Sequence, residues 1–299
     1  MAATTHSAMV LAAGFGTRLR PLTDERAKPL VWVGDRPLLA HVVERLARGG
    51  VTQVALNTHH RADDFAEALR ALPVPVEVLR EAEILGTAGG VANAAAALGE
   101  GDVVVWNGDI LIDLDVAELM SAHRRLGSAA TLAVAPRPRG EGTVGIGASG
   151  EVVRLRGERF GEEAAGGDFV GVQVIADPLR RRLPAQGCLV GDGYLPWLRE
   201  GEPIATVAAP RDWDDIGTVA AYLRANQRWL SQVGRESFLG EGATVDEGVE
   251  VDGTVVGSRA QVRGRGALRG CVVWPGAKMV LDGPLDGVVV TTGGLVVQG

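Results

Sequence analysis

Short apolar runs alternate with amphipathic segments over the first two-thirds of the chain. Runs bounded by turn residues are typical of buried strands, and apolar side chains spaced three or four apart are typical of helices. The predicted strands are residues 7–13, 51–57, 74–79 and 103–106. The predicted helices are residues 37–48, 62–72 and 87–98. This alternation favours an α/β fold with a doubly wound, mainly parallel, Rossmann-like sheet, in which ligands lie beyond the carboxyl ends of the strands.

A different pattern begins at residue 243, where an aliphatic residue recurs every five or six positions, with a small or β-branched residue two positions before each. This spacing is typical of hexapeptide repeats and predicts a C-terminal left-handed β-helix, whereas an irregular Gly/Val-rich sheet is the alternative. The pattern at residues 219–233 predicts a helix before the repeat segment. We expect two domains, residues 1–230 and residues 236–299. The predicted inward column is Val245, Val251, Val256, Val262, Leu268, Val273, Met279, Leu285, Val290 and Leu295.

The composition is that of a folded protein, with 46% hydrophobic and 22% charged residues. A formal net charge of −7 argues against a nucleic-acid partner, because proteins that bind nucleic acids normally carry a basic face. Cys188 and Cys271 have no metal-ligand spacing and are too few for a disulfide framework, which predicts a reduced, cytoplasmic protein. The N-terminus lacks the basic region of a signal peptide, and no apolar stretch approaches the roughly 18 residues that span a membrane.

The strongest chemical signal is a glycine-rich segment, LAAGFGTRLRPLT at residues 11–23. A strand that runs into such a loop brings backbone N–H groups close to a phosphate, because no Cβ stands in the way. Arg18 adds bidentate phosphate bonds and Lys28 a compact charge. Lys28 and Lys278 are the only lysines among 30 cationic residues, which points to a specific need for an amine at Lys28.

Two carboxylates are candidate metal ligands. Asp109 follows the last predicted strand and Gly108, and Asp215 lies in the segment WDDIGT. Mg²⁺ prefers a few oxygen ligands and shares substrate phosphates, whereas zinc is disfavoured because neither segment has Cys or His at zinc spacing. A loop-capping role for Asp109 and a helix N-cap role for Asp214 and Asp215 are the structural alternatives.

The segment LGTAGG at residues 85–90 allows two interpretations. It is either a helix N-terminus that Thr87 caps, with glycines that permit close packing, or a surface that lies against a nucleotide base. The second interpretation needs Gly86 and Gly89, because side chains there would clash with the base plane.

Together these motifs resemble the sugar-phosphate nucleotidyltransferase family: residues 11–23 with KPL, LGTAGG, WNGD and WDDIGT cover most of residues 8–230. The resemblance implies a nucleotidyltransferase domain and Mg²⁺ as cofactor. The catalytic residues it implies are Arg18, Lys28 and Asp109. The implied nucleotide-binding residues are Leu11, Ala13, Gly14, Gly16, Thr17, Gly86, Thr87 and Asp109. The implied sugar-binding residues are Asn107, Gly145 and Gly171, and the implied metal ligands are Asp109 and Asp215, which we expect in one cleft.

The chain departs from the family pattern where many members carry a Glu-Lys-Pro segment. Its counterpart here is LRGERFG, so a second cation must be Arg156 or Arg159, or is absent. In the strand that resembles the family's Asn-Ala-Gly sugar strand, only Gly171 matches. These departures make the sugar pocket the least defined part of the predicted site.

The reaction implied is that of a nucleoside triphosphate with a sugar 1-phosphate, giving a nucleotide-sugar and pyrophosphate. LGTAGG, NGDILIDLD and VVWPGA look most like mannose-1-phosphate guanylyltransferases, which makes GTP and mannose 1-phosphate the leading substrates. The alternatives are a UTP- or dTTP-dependent relative, or a non-catalytic regulatory paralogue. Acyl transfer is disfavoured because residues 236–299 contain no histidine. The repeat segment is expected to serve stability or a homo-oligomer formed through the β-helix.

Overall fold

The computed structural model describes residues 6–299. The expectation that the N-terminus is not a signal peptide falls partly on residues 1–5, which lie outside that range. The helices are α1 Leu22–Glu25, α2 Leu38–Arg48, α3 Phe65–Ala68, α4 Gly86–Asn93, α5 Ala95–Leu98, α6 Val116–Leu126, α7 Asp177–Arg180, α8 Leu195–Arg199 and α9 Val219–Gln232.

The strands fall into an N-terminal and a C-terminal group. The first group is β1 His6–Leu11, β2 Trp32–Val33, β3 Arg36–Pro37, β4 Val51–Thr58, β5 Val76–Arg80, β6 Val103–Asn107, β7 Ile110–Ile112, β8 Ala130–Arg137, β9 Val144–Ile146, β10 Val152–Leu155, β11 Glu158–Arg159, β12 Ala165–Ile175, β13 Ile204–Ala208 and β14 Trp213–Asp215. The second is β15 Phe238–Leu239, β16 Thr244–Val245, β17 Val249–Asp252, β18 Val255–Val256, β19 Gln261–Arg269, β20 Val272–Val273, β21 Lys278–Asp282, β22 Leu285–Asp286, β23 Val288–Val290 and β24 Val296–Gln298.

The chain divides into two compact units that are not continuous in sequence. The first unit contains residues 6–14 and Val42–Trp213, and the second contains Phe15–His41 and Asp214–Gly299. The segment that follows the first strand therefore belongs to the same unit as the C-terminal strands.

The first unit is built on a mixed ten-stranded sheet. β1 lies parallel to β4 and β6, and β4 lies parallel to β5, which confirms the predicted parallel α/β core. β12 runs antiparallel to β6, β8 and β9 and extends the sheet. Because β1, β4 and β6 point the same way, their carboxyl ends share one edge, where Leu11 is in register with Asn57 and Asn107.

Two predicted helices of the first unit are interrupted. Residues 62–72 form a 3₁₀ turn at Ala62–Asp64, the single turn α3 and a 3₁₀ turn at Leu69–Ala71. Phe65 is the buried hydrophobic side chain of this stretch, so little packing stabilises a longer helix. Residues 87–98 form α4 and α5, separated at Ala94.

In the second unit, α9 confirms the helix predicted at 219–233, and the C-terminal strands stack in parallel ladders. Residues 238, 255, 272 and 289 are successive partners, each 17 positions after the last. Nine of the ten predicted column residues belong to or pack against one apolar core. Leu295 is 43% exposed, because β24 turns back antiparallel to β23 and residues 291–295 form the hairpin loop.

Among residues 6–299, no helix is long and apolar enough to cross a membrane.

Candidate active site

A buried hydrogen-bond network fixes the start of the glycine loop in the first unit. The Ala12 N–H donates to Asn57 Oδ1 at 2.8 Å, and Asn57 Nδ2 donates to Glu81 Oε1 at 2.7 Å. The Leu85 N–H donates to Glu81 Oε2 at 3.0 Å. Asn57 and Glu81 are 2% and 6% exposed, so the network joins the end of β1 to the segment before α4 out of solvent. Sequence reasoning missed it; the signal was a polar residue, Asn57, directly after the apolar run at residues 54–56.

Asp109 lies in a tight turn between β6 and β7, beside the end of β1. The Gly108 N–H donates to the Leu11 carbonyl at 2.8 Å, and a Cβ at Gly108 would lie 2.8 Å from the same oxygen. The buried Trp106 indole N–H donates to the Ile110 carbonyl at 3.0 Å and closes the turn. The sequence therefore presents the Asp109 carboxylate from a rigid turn at a strand end.

Gly16 and Lys28 lie together in the second unit. Gly16 has a left-handed φ of 63°, and a Cβ there would lie 2.8 Å from Thr23 Cγ2 and 3.3 Å from the Lys28 Cβ. The Thr23 hydroxyl donates to the Gly16 carbonyl at 3.0 Å. This close approach brings the predicted phosphate loop against the stem of the predicted catalytic lysine.

Arg18 and Asp215 also lie together in the second unit. Arg18 Nη2 is 3.8 Å from Asp215 Oδ2, and the two side chains are 67% and 42% exposed. Asp214, by contrast, is buried and forms a 3.0 Å ion pair with Arg228. Of the two adjacent aspartates, Asp215 is therefore the one whose carboxylate is open to a ligand.

The glycines of LGTAGG pack against the loop at residues 185–187. Gly86 has a φ of +77°, and a Cβ there would lie 2.3 Å from the Gly187 carbonyl oxygen. At Gly89 a Cβ would lie 2.5 Å from the Ala185 carbonyl oxygen. Packing within the protein therefore explains both glycines, and the base contact stays a prediction.

Thr87 does not cap the helix that it was expected to start. α4 begins at Gly86, and the Leu189 N–H donates to Thr87 Oγ1 at 2.7 Å. The hydroxyl thus ties α4 to the segment after Cys188.

The predicted sugar residues fall in two places. Gly171 has a φ of +75°, and a Cβ there would lie 2.8 Å from Asn107 Nδ2, so these two are neighbours. A Cβ at Gly145 would lie 2.6 Å from the Arg154 Cβ and 2.8 Å from Glu163 Oε2. Gly145 therefore packs against the ion pair that Arg154 and Glu163 form, with 2.9 Å between Arg154 Nε and Glu163 Oε2.

Of the two candidate second cations, Arg156 has the more distinctive surroundings. Its φ is +48°, a region unusual for a residue with a side chain, and Nη2 donates to Cys188 Sγ at 3.2 Å. Burial raises the pKa of the Cys188 thiol, but backbone hydrogen bonds from Gly191 and Val190, with the charge of Arg156, hold it below its ordinary value. Arg159 lies on β11 opposite Arg154.

The other predicted residues divide between the two units. Ala13, Gly14 and Asp109 lie in the first, and Thr17 and Asp215 in the second. Within residues 6–299, no group of three or more His, Cys, Asp or Glu side chains could hold a metal ion.

Sequence comparisons with known proteins agree on one family, and a solved structure shares the fold. A family model described as "Nucleotidyl transferase" matches residues 7–232. "Mannose-1-phosphate guanylyltransferase" from Mycobacterium tuberculosis is 30% identical over 291 residues, 91% of this chain and 80% of that protein. "Probable mannose-1-phosphate guanylyltransferase 1" from Oryza sativa subsp. japonica is 28% identical over 91% of this chain and 79% of its own. The crystal structure of HddC from Yersinia pseudotuberculosis has the same fold, with a TM-score of 0.63 and 22% identity over 75% of this chain and all of that one.

Proposed function

Since this chain belongs to the nucleotidyl transferase family, and is an enzyme of that class, we propose that it transfers a guanylyl group from GTP to mannose 1-phosphate. The products are GDP-mannose and pyrophosphate. The observation that carries the choice of substrates is the 30% identity to a mannose-1-phosphate guanylyltransferase over 91% of this chain. Nucleotide-sugar synthesis is the corresponding biological role.

We propose that the site residues act as the family resemblance implies. Arg18, Lys28 and Asp109 are catalytic. The nucleotide is bound by Leu11, Ala13, Gly14, Gly16, Thr17, Gly86 and Thr87, with Asp109. The sugar phosphate is bound near Asn107, Gly145 and Gly171, and a second cation, if there is one, is Arg156 or Arg159.

For this reaction the protein has to position the two substrates and to offset the negative charge of the phosphates. An oxygen of the sugar phosphate attacks the α-phosphorus in line, the bond from the α-phosphorus to the bridging oxygen of the β-phosphate breaks, and pyrophosphate leaves. Backbone N–H groups of the glycine loop hold the triphosphate, and Lys28 offsets the charge that builds on the phosphate oxygens. The Asn57–Glu81 network supports this role, because it fixes Ala12 at the start of that loop.

We propose that Asp109 and Asp215 each supply a carboxylate to a divalent metal, with Mg²⁺ as the specific ion. The donor chemistry fits, since Mg²⁺ takes few protein oxygens and shares substrate phosphates. When bound, the metal supplies positive charge to the phosphates. The contact between Arg18 and Asp215 supports this role for Asp215, because its carboxylate lies beside the arginine that is predicted to bind the phosphates. Addition of EDTA should abolish turnover, and Mg²⁺ should restore it.

We further propose that the C-terminal strands form a left-handed β-helix over residues 236–299, after a catalytic domain at 1–230. The parallel ladders with a 17-residue step and the apolar column support this architecture. A homo-oligomer formed through this β-helix, a cytoplasmic location and the absence of a nucleic-acid partner complete the proposal.

The test is a screen for pyrophosphate release with the purified protein. GTP, UTP, dTTP, ATP and CTP are each combined with mannose 1-phosphate and with other sugar 1-phosphates. The proposal expects the highest kcat/KM for GTP with mannose 1-phosphate. A UDP- or dTDP-sugar as the preferred product would overturn the guanylyl assignment, and a blank matrix would favour the regulatory paralogue.

A further inference from the structure

The segment 15–41, which carries Arg18 and Lys28, is held within the second unit by the C-terminal half of the chain. One attachment is made by α9. The Tyr222 hydroxyl donates to the Trp32 carbonyl at 2.5 Å, and the Gly34 N–H donates to Asn226 Oδ1 at 2.9 Å. These bonds fix the portion of the segment that follows Lys28.

A second attachment holds the portion before Lys28, through the carboxylate of Glu25. The Thr291 hydroxyl donates to Glu25 Oε1 at 2.5 Å, and the Gly293 N–H donates to Glu25 Oε2 at 3.0 Å. The Leu295 N–H donates to Thr291 Oγ1 at 3.1 Å, which occupies a lone pair and leaves the single hydroxyl proton for Glu25. Both carboxylate oxygens are thus bound by the β23–β24 hairpin loop.

The next residue adds a contact of a different kind to the same part of the molecule. The Arg26 guanidinium lies 5.5 Å from the ring centroid of Trp274, within the range of a cation–π contact. Trp274 is 1% exposed, and its indole N–H donates to the Tyr222 oxygen at 3.0 Å. Trp274 therefore links the Arg26 contact to the α9 attachment.

We propose that Glu25 is a positioning residue, whose bonds to Thr291 and Gly293 set the placement of Lys28 for phosphate chemistry. Glu25 ends α1, and the 3₁₀ turn that contains Lys28 begins three residues later. A shift of Glu25 therefore reaches Lys28 through two intervening residues, and reaches Gly16 through the close contact between Gly16 and the Lys28 stem. The inference rests on the proposed function, because it gives the C-terminal hairpin a part in the transfer reaction.

The test compares four variants of the 299-residue chain. Glu25→Gln keeps the shape but places an amide opposite one of the two donors, and Thr291→Val removes the hydroxyl. The variant with both substitutions completes a double-mutant cycle for Glu25 and Thr291. Thr292→Val is the matched control, since the Thr292 hydroxyl of the same hairpin donates to the Pro275 carbonyl and not to Glu25.

We expect Glu25→Gln and Thr291→Val each to lower kcat by roughly tenfold, because small displacements of a charge-stabilising group are costly in the transition state. The KM for the sugar phosphate should change less than kcat. The double variant should lose less than the product of the single losses, since the two residues form one contact. Thr292→Val should keep wild-type kcat.

Hydrogen exchange separates this proposal from the proposed function. Glu25→Gln should speed amide exchange at residues 22–30 and 291–295 and leave the strands of the first unit unchanged. If exchange is faster but kcat stays at the wild-type value, Glu25 does not position Lys28. If exchange is unchanged, the hydrogen bonds of Glu25 to Thr291 and Gly293 do not hold the segment. A wild-type protein without turnover on any substrate pair would contradict the proposed function, and with it the catalytic part of this inference, while the exchange data would still decide whether Glu25 holds the segment.

Discussion

At the scale of single residues, the two lysines of the chain provide a matched pair. Lys28 packs beside Gly16, whereas Lys278 is exposed on β21. Lys28→Ala should lower kcat/KM on the order of 10²-fold, because it removes charge stabilisation from the transition state. Steady-state kinetics and circular dichroism measure the effect and the fold. Lys278→Ala should behave as wild type, and near-native turnover of Lys28→Ala would remove it from the proposed site.

The adjacent aspartates Asp214 and Asp215 should respond in opposite ways. Asp215→Asn should depress turnover and leave the thermal midpoint near wild type, because its carboxylate is exposed. Asp214→Asn should lower the thermal midpoint by several degrees, because it leaves Arg228 without its buried ionic partner. Kinetics and calorimetry on the two variants separate the effects. Equal losses of turnover without a change in stability would contradict this division.

The positions of several candidate site residues were predictable from the sequence, because each ends or follows an apolar run. Leu11, Asn107 and Asp109 lie at or just beyond the carboxyl ends of β1 and β6, as the pattern of a parallel sheet requires. Close packing at Gly86 was one of the two interpretations that the sequence allowed, but the packing partner was not predictable, since the atom that forbids a Cβ there belongs to Gly187, about a hundred residues later. Local patterns do not encode such long-range contacts.

At the scale of elements, an ion pair joins β10 to the segment before β12, and hydrogen bonds of both partners reach the loop at residues 138–142. Arg154 Nε donates to Glu163 Oε2 at 2.9 Å, and the Gly140 N–H donates to Glu163 Oε1 at 2.8 Å. Arg154 Nη1 also donates to the Gly142 carbonyl at 3.2 Å. The hydrogen bond from Arg154, with that from Gly140, lowers the pKa of Glu163 from 4.5 to about 2.

Glu163→Gln should therefore destabilise the protein in a pH-dependent way. The folded pKa lies below the unfolded one, so the stabilisation is fully present above about pH 4.5 and is lost as the pH falls toward 2. Thermal midpoints at pH 7, 5, 4 and 3 should show a gap between wild type and variant that narrows with acid. A gap that is constant with pH would mean that the charge of Glu163 does not contribute.

The sequence predicted elements best where apolar spacing and burial coincide. α2 and α9 begin and end close to the predicted bounds because each buries a regular apolar face. The stretch at 62–72 carries helical spacing but buries little, and it breaks into short turns. At Leu295 the repeat spacing continues after the ladder has turned back, so spacing alone did not show where the parallel stack ends.

At the scale of the whole molecule, the second unit joins residues far apart in sequence. Truncation after Arg235 removes Trp274, Thr291 and Gly293, which hold the segment that carries Lys28. We expect the truncated protein to lose turnover and to have a lower thermal midpoint, as measured by kinetics and calorimetry. Wild-type kcat and stability after truncation would show that the C-terminal strands act as a separate module.

The constant step of the C-terminal ladders also sets a rule for changes in chain length. The parallel pairings there join residues 17 positions apart, so a side chain and the one above it face the same way. Insertion of a complete 17-residue stretch would add one more layer without moving any side chain between the interior and the solvent. A single extra residue within β19 would turn the rest of that strand over. Relatives of this protein should therefore differ in this region by whole layers, and a shorter or longer stack is a natural design variable.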